Sequence, residues 1–191
     1  MRLSAGARRR VAAVHGDSPL PERLRFYDGW AAQYEQLHRR GFRCLHGVDG
    51  SAGMLERARS TGLYRELRRC VLGPEPLPAP AEHYDAVTVV GALGEGQVPS
   101  SAVTELLRVT KPGGFICMTT RSDPSNLRYK AELEAALEQL GAQGAWRKVL
   151  AQEVEHWERA TAEQDSTQGT GYISGVVYIY QKCPVSPLEE G

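Results

Sequence analysis

The 191-residue sequence predicts an α/β fold, a doubly wound and mostly parallel sheet that ends in an antiparallel hairpin. Two observations support this fold class. Between Phe42 and Arg121, short apolar strands alternate with amphipathic helices, the pattern of a parallel sheet with right-handed crossovers. After Gly141, two β-branched and aromatic runs follow one another without a helix between them, which is typical of an antiparallel pair.

The N-terminal residues predict two helices. The first runs from Ser4 to Gly16, and the second covers residues 17–40. On the second helix Tyr27, Trp30 and Tyr34 recur at helical spacing and form an aromatic stripe. Packing on a core explains such a stripe as readily as contact with a ligand.

Three strands and a helix are predicted next. "FRCLHGV", from Phe42 to Val48, reads as a strand, and Ser51 caps the helix that follows it. "RRCVL", from Arg68 to Leu72, predicts a second strand. The Val-rich run of residues 84–93 predicts a third strand that is buried on both faces.

The remaining elements follow from similar local signals. They are a helix at 100–110, a sharp "KPGG" turn at 111–114, a buried strand at 115–121, a helix between Asp123 and Gly141, and an antiparallel pair of 149–154 with 171–182. In the long helix Asp123 is the expected N-cap, Pro124 lies in the first turn and Gly141 is the expected stop. Its inward face is expected to hold Leu133, Ala136, Leu137 and Leu140.

Composition argues against several classes of function. Lys plus Arg and Asp plus Glu both number 23, so no net charge favours nucleic acid or an anionic membrane. The four cysteines and five histidines are dispersed, which gives no metal-ligand spacing and suggests a reducing compartment. Without a signal region or an apolar run of about 18 residues, a soluble cytoplasmic or nuclear protein is expected. The oligomeric state does not follow from the sequence.

The ligand of a doubly wound sheet lies at the carboxyl ends of its strands. The residues predicted there are Asp49 and Gly50, then Gly73, then residues 91–93. An acid at a strand tip, followed by a helix-opening Ser, is a common way to hold a ribose. Asp49 can instead merely cap the helix that opens at Ser51. The ribose interpretation also requires a glycine-rich turn about 20 residues earlier.

Several stretches occur in the order of one known family and cover most of residues 26–182. They are "FYDGWAAQYEQ", "LHGVDGSAGMLERAR", "YDAVTVVGAL", "ELLRVTKPGGFICMTTR" and "GYISGVVYIYQK". In these stretches the chain resembles the class I S-adenosylmethionine-dependent methyltransferases of the broad type 11 group. The resemblance implies a Rossmann-like methyltransferase sheet, S-adenosylmethionine as cofactor, and transfer of a methyl group to an acceptor that the sequence does not identify.

The resemblance also implies roles for individual residues. Asp49 would accept hydrogen bonds from both ribose hydroxyls, and Gly50 would let the backbone approach the sugar. Met54 and Leu72 would lie on the two faces of the adenine. The aromatic stripe, Tyr27, Trp30 and Tyr34, would form part of a helical lid over the methionine half of the cofactor. For Met54 and the stripe, core packing is at least as good an explanation.

No catalytic residue is assigned. In-line methyl transfer requires mainly alignment and exclusion of water, so a general base is not obligatory. Asn126, Tyr129, Trp157 and Glu158 fall where the resemblance would place the substrate side, but their spacing reveals neither a base nor an acceptor.

One part of the family pattern is missing. The family's first strand ends in an acid and a Gly-x-Gly-x-Gly turn, whereas no two of the glycines before Asp49 form a Gly-x-Gly. A block of roughly 35 to 50 residues is expected to be absent, on mean element lengths. The loss of about five buried side chains of the first central strand would remove on the order of 10 kcal/mol, comparable to the stability of a domain. The strands at Leu45 and Val87 could close the gap by pairing, but cofactor binding is expected to be impaired.

The expected organisation is an N-terminal helical extension at 1–24, a methyltransferase-like domain at 25–183 that is internally truncated between 36 and 42, and a flexible tail at 184–191. The leading function is methyl transfer. The alternative is a catalytically inactive truncated isoform, a binding remnant or a non-functional variant. A nicotinamide-dependent oxidoreductase also uses an acidic strand tip, but it needs the absent glycine turn and does not explain "KPGG".

Overall fold

The computed structural model describes residues 36–73, 75–159 and 169–184. The two predicted N-terminal helices therefore lie almost wholly outside the described residues, and so do Tyr27, Trp30 and Tyr34. The chain divides into two compact units, of which the first ends at Glu75 and the second begins at Pro76. Both units combine helices with parallel strands, which confirms the α/β class.

The first unit contains a single pair of strands in its described part. Its elements are α1 (Gln36–Arg39), β1 (Leu45–Asp49), α2 (Ala52–Ser60) and β2 (Tyr64–Arg69). β1 and β2 are parallel, with Asp49 opposite Arg69, and α2 packs against both strands. Within the described residues of this unit, the buried apolar side chains are those of Leu55 and Cys70. A sheet of two strands over so small a core is marginally stable on its own.

Local signals place α2 as predicted. Ser51 has an extended backbone, and its Oγ accepts a hydrogen bond from the backbone N–H of Met54 at 3.3 Å. This is the N-cap expected from its sequence position. After the helix, Gly62 has a φ of +66°, the left-handed conformation that allows the chain to turn towards β2.

The prediction for β2 was wrong in position. The strand covers residues 64–69 rather than the apolar stretch "RRCVL" at 68–72. The partner strand decides these bounds, because the ladder ends where β1 ends and Cys70 donates its backbone N–H to the carbonyl of Asp49 at 3.2 Å. Val71, in the middle of the predicted strand, is left 49% exposed.

The second unit contains a four-stranded sheet. Its elements are β3 (Tyr84–Leu93), a 3₁₀ turn (Ser100–Ala102), α3 (Val103–Val109), β4 (Thr110–Arg121), a second 3₁₀ turn (Pro124–Asn126), α4 (Leu127–Ala142), β5 (Trp146–Arg159) and β6 (Tyr172–Lys182). The strand order is β3-β4-β6-β5. β3 and β4 are parallel, whereas β6 is antiparallel to both β4 and β5. The predicted antiparallel C-terminal pair is confirmed at the edge of this sheet.

The helix after β4 begins as predicted but ends later. Asp123 caps the 3₁₀ turn by accepting a hydrogen bond from the backbone N–H of Ser125 at 3.2 Å. Gly141 lies within α4 instead of stopping it, and Gly144, with a φ of +71°, follows the helix. The buried side chains of α4 are Tyr129, Leu133 and Leu137, while Ala136 and Leu140 are half-buried.

The "KPGG" turn is a bulge inside β4 and not a connection that precedes the strand. Tyr84 pairs with Thr110, and Ala86 already pairs with Phe115, so residues 111–114 leave the ladder. A Cβ on Gly114 would lie 2.8 Å from the carbonyl oxygen of Asp85. Glycine is therefore required here by the close approach of two backbones.

The helices α3 and α4 pack against β4, and several side chains of β3 are exposed, so the prediction that β3 is buried on both faces was wrong. On the covered face Ile116 and Met118 are 0% exposed, and Met118 lies opposite Tyr178, which contacts α4. Side chains of the other face are open to solvent, with Val90 63% and Phe115 43% exposed. Within the second unit, the described residues provide no helix on this face of β3.

The described strands form two separate sheets. β1 pairs with β2, and β3 pairs with β4, so the expected closure of the gap by the strands at Leu45 and Val87 does not occur among the described residues. One edge of β1 and one edge of β3 consequently have no partner strand in the part of the chain that the structure describes.

Candidate functional site

Asp49 lies at the carboxyl end of β1, where the sequence predicted it. Its Oδ1 accepts a hydrogen bond from the backbone N–H of Ser51 at 2.7 Å, so the carboxylate supports the turn into α2. Asp49 therefore does cap the start of α2, which was the alternative to a ribose contact. Within the described ranges no hydrogen bond to Oδ2 is formed, and this oxygen can accept one from a ligand hydroxyl. The cap and a ligand contact are compatible because they use different oxygens.

Gly50 lies where β1 leaves the sheet and packs closely on the end of β2. A Cβ at this position would lie 3.3 Å from Cγ2 of Val71. The carbonyl of Gly50 accepts a hydrogen bond from Nε of Arg69 at 3.0 Å. These contacts fix the backbone beside Asp49 and give the glycine a packing role in addition to the predicted approach of a sugar.

A small cavity lies next to Asp49 in the first unit. Its volume is about 90 Å³, and its lining includes Gly47, Asp49, Met54, Leu55, Tyr64 and Leu67. Ligand sites in proteins commonly measure about 300 to 1,000 Å³. The cavity beside Asp49 is smaller than this range.

The structure brings together only part of the predicted cofactor set. Asp49 and Met54 line the same cavity, and Gly50 adjoins Asp49, whereas Leu72 does not line it. Leu72 instead forms an isolated bridge with Glu75. Tyr64 and Leu67 were missed as lining residues, since β2 was predicted four residues too late in the chain. No alternation of apolar and polar residues marks "YRELRR" as a strand, because Tyr64 and Leu67 are three residues apart.

The carboxyl end of β3, in the second unit, was also predicted to border the ligand. Residues 91–93 still belong to the strand, and Gly91, with a φ of +72°, marks an irregular register there. The turn follows at residues 94–97. Its backbone is tied to the 3₁₀ turn before α4, because Glu95 donates its N–H to Oδ1 of Asn126 at 3.0 Å.

Two residues considered for the substrate side have structural roles. Asn126 is 4% exposed, and its Nδ2 donates to Oγ1 of Thr120 at 3.0 Å and to the carbonyl of Arg121 at 2.8 Å. The hydroxyl of Tyr129 donates to the carbonyl of Val98 at 2.6 Å. Burial, with smaller contributions from Glu132 and Glu95, raises the pKa of Tyr129 to about 12. The phenol is therefore protonated at neutral pH and unsuited to act as a base.

The other two substrate-side residues lie on β5. The indole of Trp157 packs on the backbone of Gly175, where a Cβ would lie 3.0 Å from the ring. The side chain of Glu158 is outside the described part of the structure. Nothing in the described geometry of these residues forms a catalytic group.

The described residues contain no cluster of three or more side chains suited to hold a metal ion. None of the helices in the described ranges is long and apolar enough to cross a membrane.

Comparisons with known proteins agree with the fold. Residues 28–118 match the family model of a methyltransferase domain. Human methyltransferase-like protein 27 is 42% identical over 187 aligned residues, which take in 75% of this chain and 76% of the human protein. A solved structure of geranyl diphosphate methyltransferase in complex with SAM superposes with a TM-score of 0.56 at 16% identity, covering 90% of this chain and 94% of that one.

A SAM-dependent methyltransferase from Methanosarcina mazei superposes with a TM-score of 0.55 at 15% identity, covering 80% of this chain and 87% of its own. At such low identities the two solved structures establish the fold alone. The family follows from the human relative, which is similar over three quarters of its length. This chain belongs to the class I S-adenosylmethionine-dependent methyltransferases.

Proposed function

We propose that this chain keeps the ribose half of an S-adenosylmethionine site at Asp49, and that methyl transfer to an unidentified acceptor is the activity to which this site belongs. The observation that carries the proposal is the position of Asp49 at the tip of β1, with one carboxylate oxygen on the Ser51 cap and the other available. A carboxylate has about four lone-pair sites on its two oxygens, so the cap leaves Asp49 the capacity to accept from the vicinal hydroxyls of a ribose.

The division of labour in such a site is simple. S-adenosylmethionine supplies a methyl group that is already activated by the sulfonium, so the protein binds, orients and excludes water. In this chain Asp49 would hold the sugar, and the close packing of Gly50 on Val71 would fix the direction of the carboxylate. No proton transfer is assigned to a residue. The cytoplasmic or nuclear location stays a prediction from the sequence.

A second candidate function is favoured by specific observations: a truncated remnant that holds the cofactor weakly and does not turn it over. The alignment with the human relative has 187 positions but takes in 75% of the 191 residues of this chain, about 143 residues. About 44 of the aligned positions therefore hold a residue of the human protein without a counterpart here. This excess matches the roughly 35 to 50 residues estimated for the missing block.

The fold gives the remnant further support. β1 and β3 each have an unpaired edge among the described residues, and both would pair with a strand inserted between them. Val90 on β3 and Phe115 on β4 are exposed apolar side chains on one face of the sheet, where a further helix would normally pack. The small cavity beside Asp49 adds the same indication, because it is too small for the whole cofactor.

Isothermal titration calorimetry with S-adenosylmethionine separates the two candidates. Binding at micromolar affinity, abolished by Asp49→Ala, supports an intact cofactor site and contradicts the remnant. Binding at millimolar affinity or weaker that still depends on Asp49 supports the remnant. Binding that is unaffected by Asp49→Ala contradicts the proposed ribose contact in either case.

A further inference from the structure

An exposed thiol lies beside a histidine at the start of β1. Cys44 immediately precedes the strand and His46 is its second residue, so the two side chains leave the same face of an extended segment. Sγ of Cys44 and Nε2 of His46 are 3.9 Å apart. The pair is distinct from Asp49, which lies at the opposite end of the strand.

The neighbouring strand completes the cluster. Glu66 pairs directly with His46 in the parallel ladder, and its Oε2 is 3.4 Å from Nδ1 of His46. The other oxygen of Glu66 accepts a hydrogen bond from Nε of Arg68 at 2.6 Å, which holds the carboxylate in place. A carboxylate at Nδ1 favours the tautomer that carries its proton there, with the Nε2 lone pair directed at the thiol.

A cation also faces the thiol. The register slips between Leu45 and His46, so Arg65 is an extra residue on β2 at this point. Its Nη1 lies 4.0 Å from Sγ of Cys44. The guanidinium places a positive charge beside the sulfur. Cys44 is thus exposed, and its sulfur has a histidine ring and a guanidinium beside it.

The other cysteines provide an internal comparison. Cys70 is buried, while Cys117 and Cys183 are partly buried. Burial raises the pKa of Cys117 and so disfavours its thiolate.

We propose that Cys44, with His46 as base and Glu66 as the residue that orients it, is a site of thiol modification by low-molecular-weight disulfides. The sulfur of Cys44 attacks one sulfur of the disulfide, forming a new S–S bond while the original S–S bond breaks. His46 takes the proton of the Cys44 thiol and returns it to the thiolate that leaves. The protein thiol is oxidised, and one sulfur of the small disulfide is reduced.

The test uses the full chain and excess oxidised glutathione at pH 7.5, with acid quenching at intervals. Peptide mass spectrometry then gives a separate rate of glutathione addition for each cysteine. Cys44 is expected to react fastest. His46→Gln is expected to slow Cys44 by about tenfold, below the roughly hundredfold of a closely hydrogen-bonded base, because the two atoms are 3.9 Å apart. Glu66→Gln is expected to slow it by a smaller factor.

The matched control is His156→Gln, which changes an exposed histidine on β5 of the other sheet and should leave the Cys44 rate unchanged. The rate at Cys70 reports unfolding in every variant, and the ratio of the Cys44 and Cys183 rates removes general effects on reactivity. A wild-type ratio near one overturns the proposal. So does an unchanged ratio in His46→Gln, or a loss that occurs only together with labelling of Cys70.

Discussion

The side chain of Asn126 accepts the backbone N–H of Glu95 at 3.0 Å and thereby ties the turn after β3 to the start of α4. The same amide donates to Thr120 and Arg121 at the end of β4. One buried side chain therefore joins the carboxyl ends of two parallel strands to a helix. Such a network specifies the local structure because each polar group left unpaired in the interior is costly.

Replacement of Asn126 by Ala should therefore destabilise the second unit. The substitution removes the acceptor of the Glu95 N–H and the donors to Thr120 and Arg121, at a cost of about 2 to 3 kcal/mol. Urea denaturation followed by tryptophan fluorescence measures the change. Gln143→Ala, at an exposed position after α4, is the control and should leave the midpoint unchanged. An unaltered midpoint in Asn126→Ala would show that water replaces the network without loss.

Two substitutions at Asp49 separate its cap from its ligand contact. Asp49→Asn keeps an oxygen that can accept the N–H of Ser51, so thermal stability should change little. It removes the charge and one acceptor, so affinity for S-adenosylmethionine should fall by about tenfold or more. Asp49→Ala loses both functions and about 1 kcal/mol of stability. Equal effects of the two variants on melting temperature would contradict this separation, as would unaltered affinity in Asp49→Asn.

Stability at acid pH should depend on Glu105. Its carboxylate binds Arg108 and accepts the N–H of Leu77 at 2.9 Å, while Arg108 donates to the carbonyls of Leu77 and Ala79 at 3.0 Å each. The hydrogen bond from Arg108 is the main cause that lowers the pKa of Glu105 below its ordinary 4.5. The lowered pKa means stabilisation that is complete above pH 4.5 and lost as the pH falls through the pKa of the folded state.

Urea titrations at pH 6 and pH 3.5 test this. The free energy of unfolding should fall further in the wild type than in Glu105→Gln, which lacks the titrating group. Both proteins share the other acidic residues. The difference between their decreases in unfolding free energy therefore gives the contribution of Glu105. Equal losses of unfolding free energy in the two proteins would show that the hydrogen bonds from Glu105 and Arg108 to residues 77–79 do not depend on the charge of Glu105.

Two glycine-to-alanine changes should act in opposite directions. In Gly114→Ala the new Cβ meets two backbone oxygens, 2.8 Å from Asp85 and 2.9 Å from Lys111, so the bulge in β4 must shift and stability should fall by about 1 to 3 kcal/mol. Gly141→Ala lies within α4 with no atom within 4 Å of the new Cβ, and should add about 0.5 to 1 kcal/mol. Differential scanning calorimetry of both variants measures whether each change in stability is a loss or a gain. A stable Gly114→Ala would mean that the bulge is not fixed by this contact.

The proposed missing block can be tested by inserting, as one segment, the about 44 human residues that have no counterpart here. A chimera that carries these residues between Gln36 and Leu37 is expected to gain stability on the order of 10 kcal/mol, since a buried central strand replaces two unpaired edges. It should also bind S-adenosylmethionine at micromolar affinity. A scrambled block of equal composition is the control. A chimera with the melting temperature of the parent chain would argue against the missing strand.

Local sequence patterns predict where most elements lie. Residues 84–93, the Ser51 cap and the C-terminal hairpin were all predicted correctly, because hydrophobic period, caps and turns are encoded in contiguous residues. The position of Asp49 at a strand tip and the family resemblance followed from the same local patterns.

Only the tertiary structure decided what depends on distant partners. The bounds of β2 follow the length of β1, and the role of Asn126 follows from the turn that it reaches. The exposure of Val90 on β3 depends on which described elements pack against that strand. The cluster at Cys44 likewise exists only through the register that places Glu66 opposite His46. Burial and strand pairing depend on contacts between residues that are far apart in the chain. Patterns within a short stretch of sequence do not identify those partners.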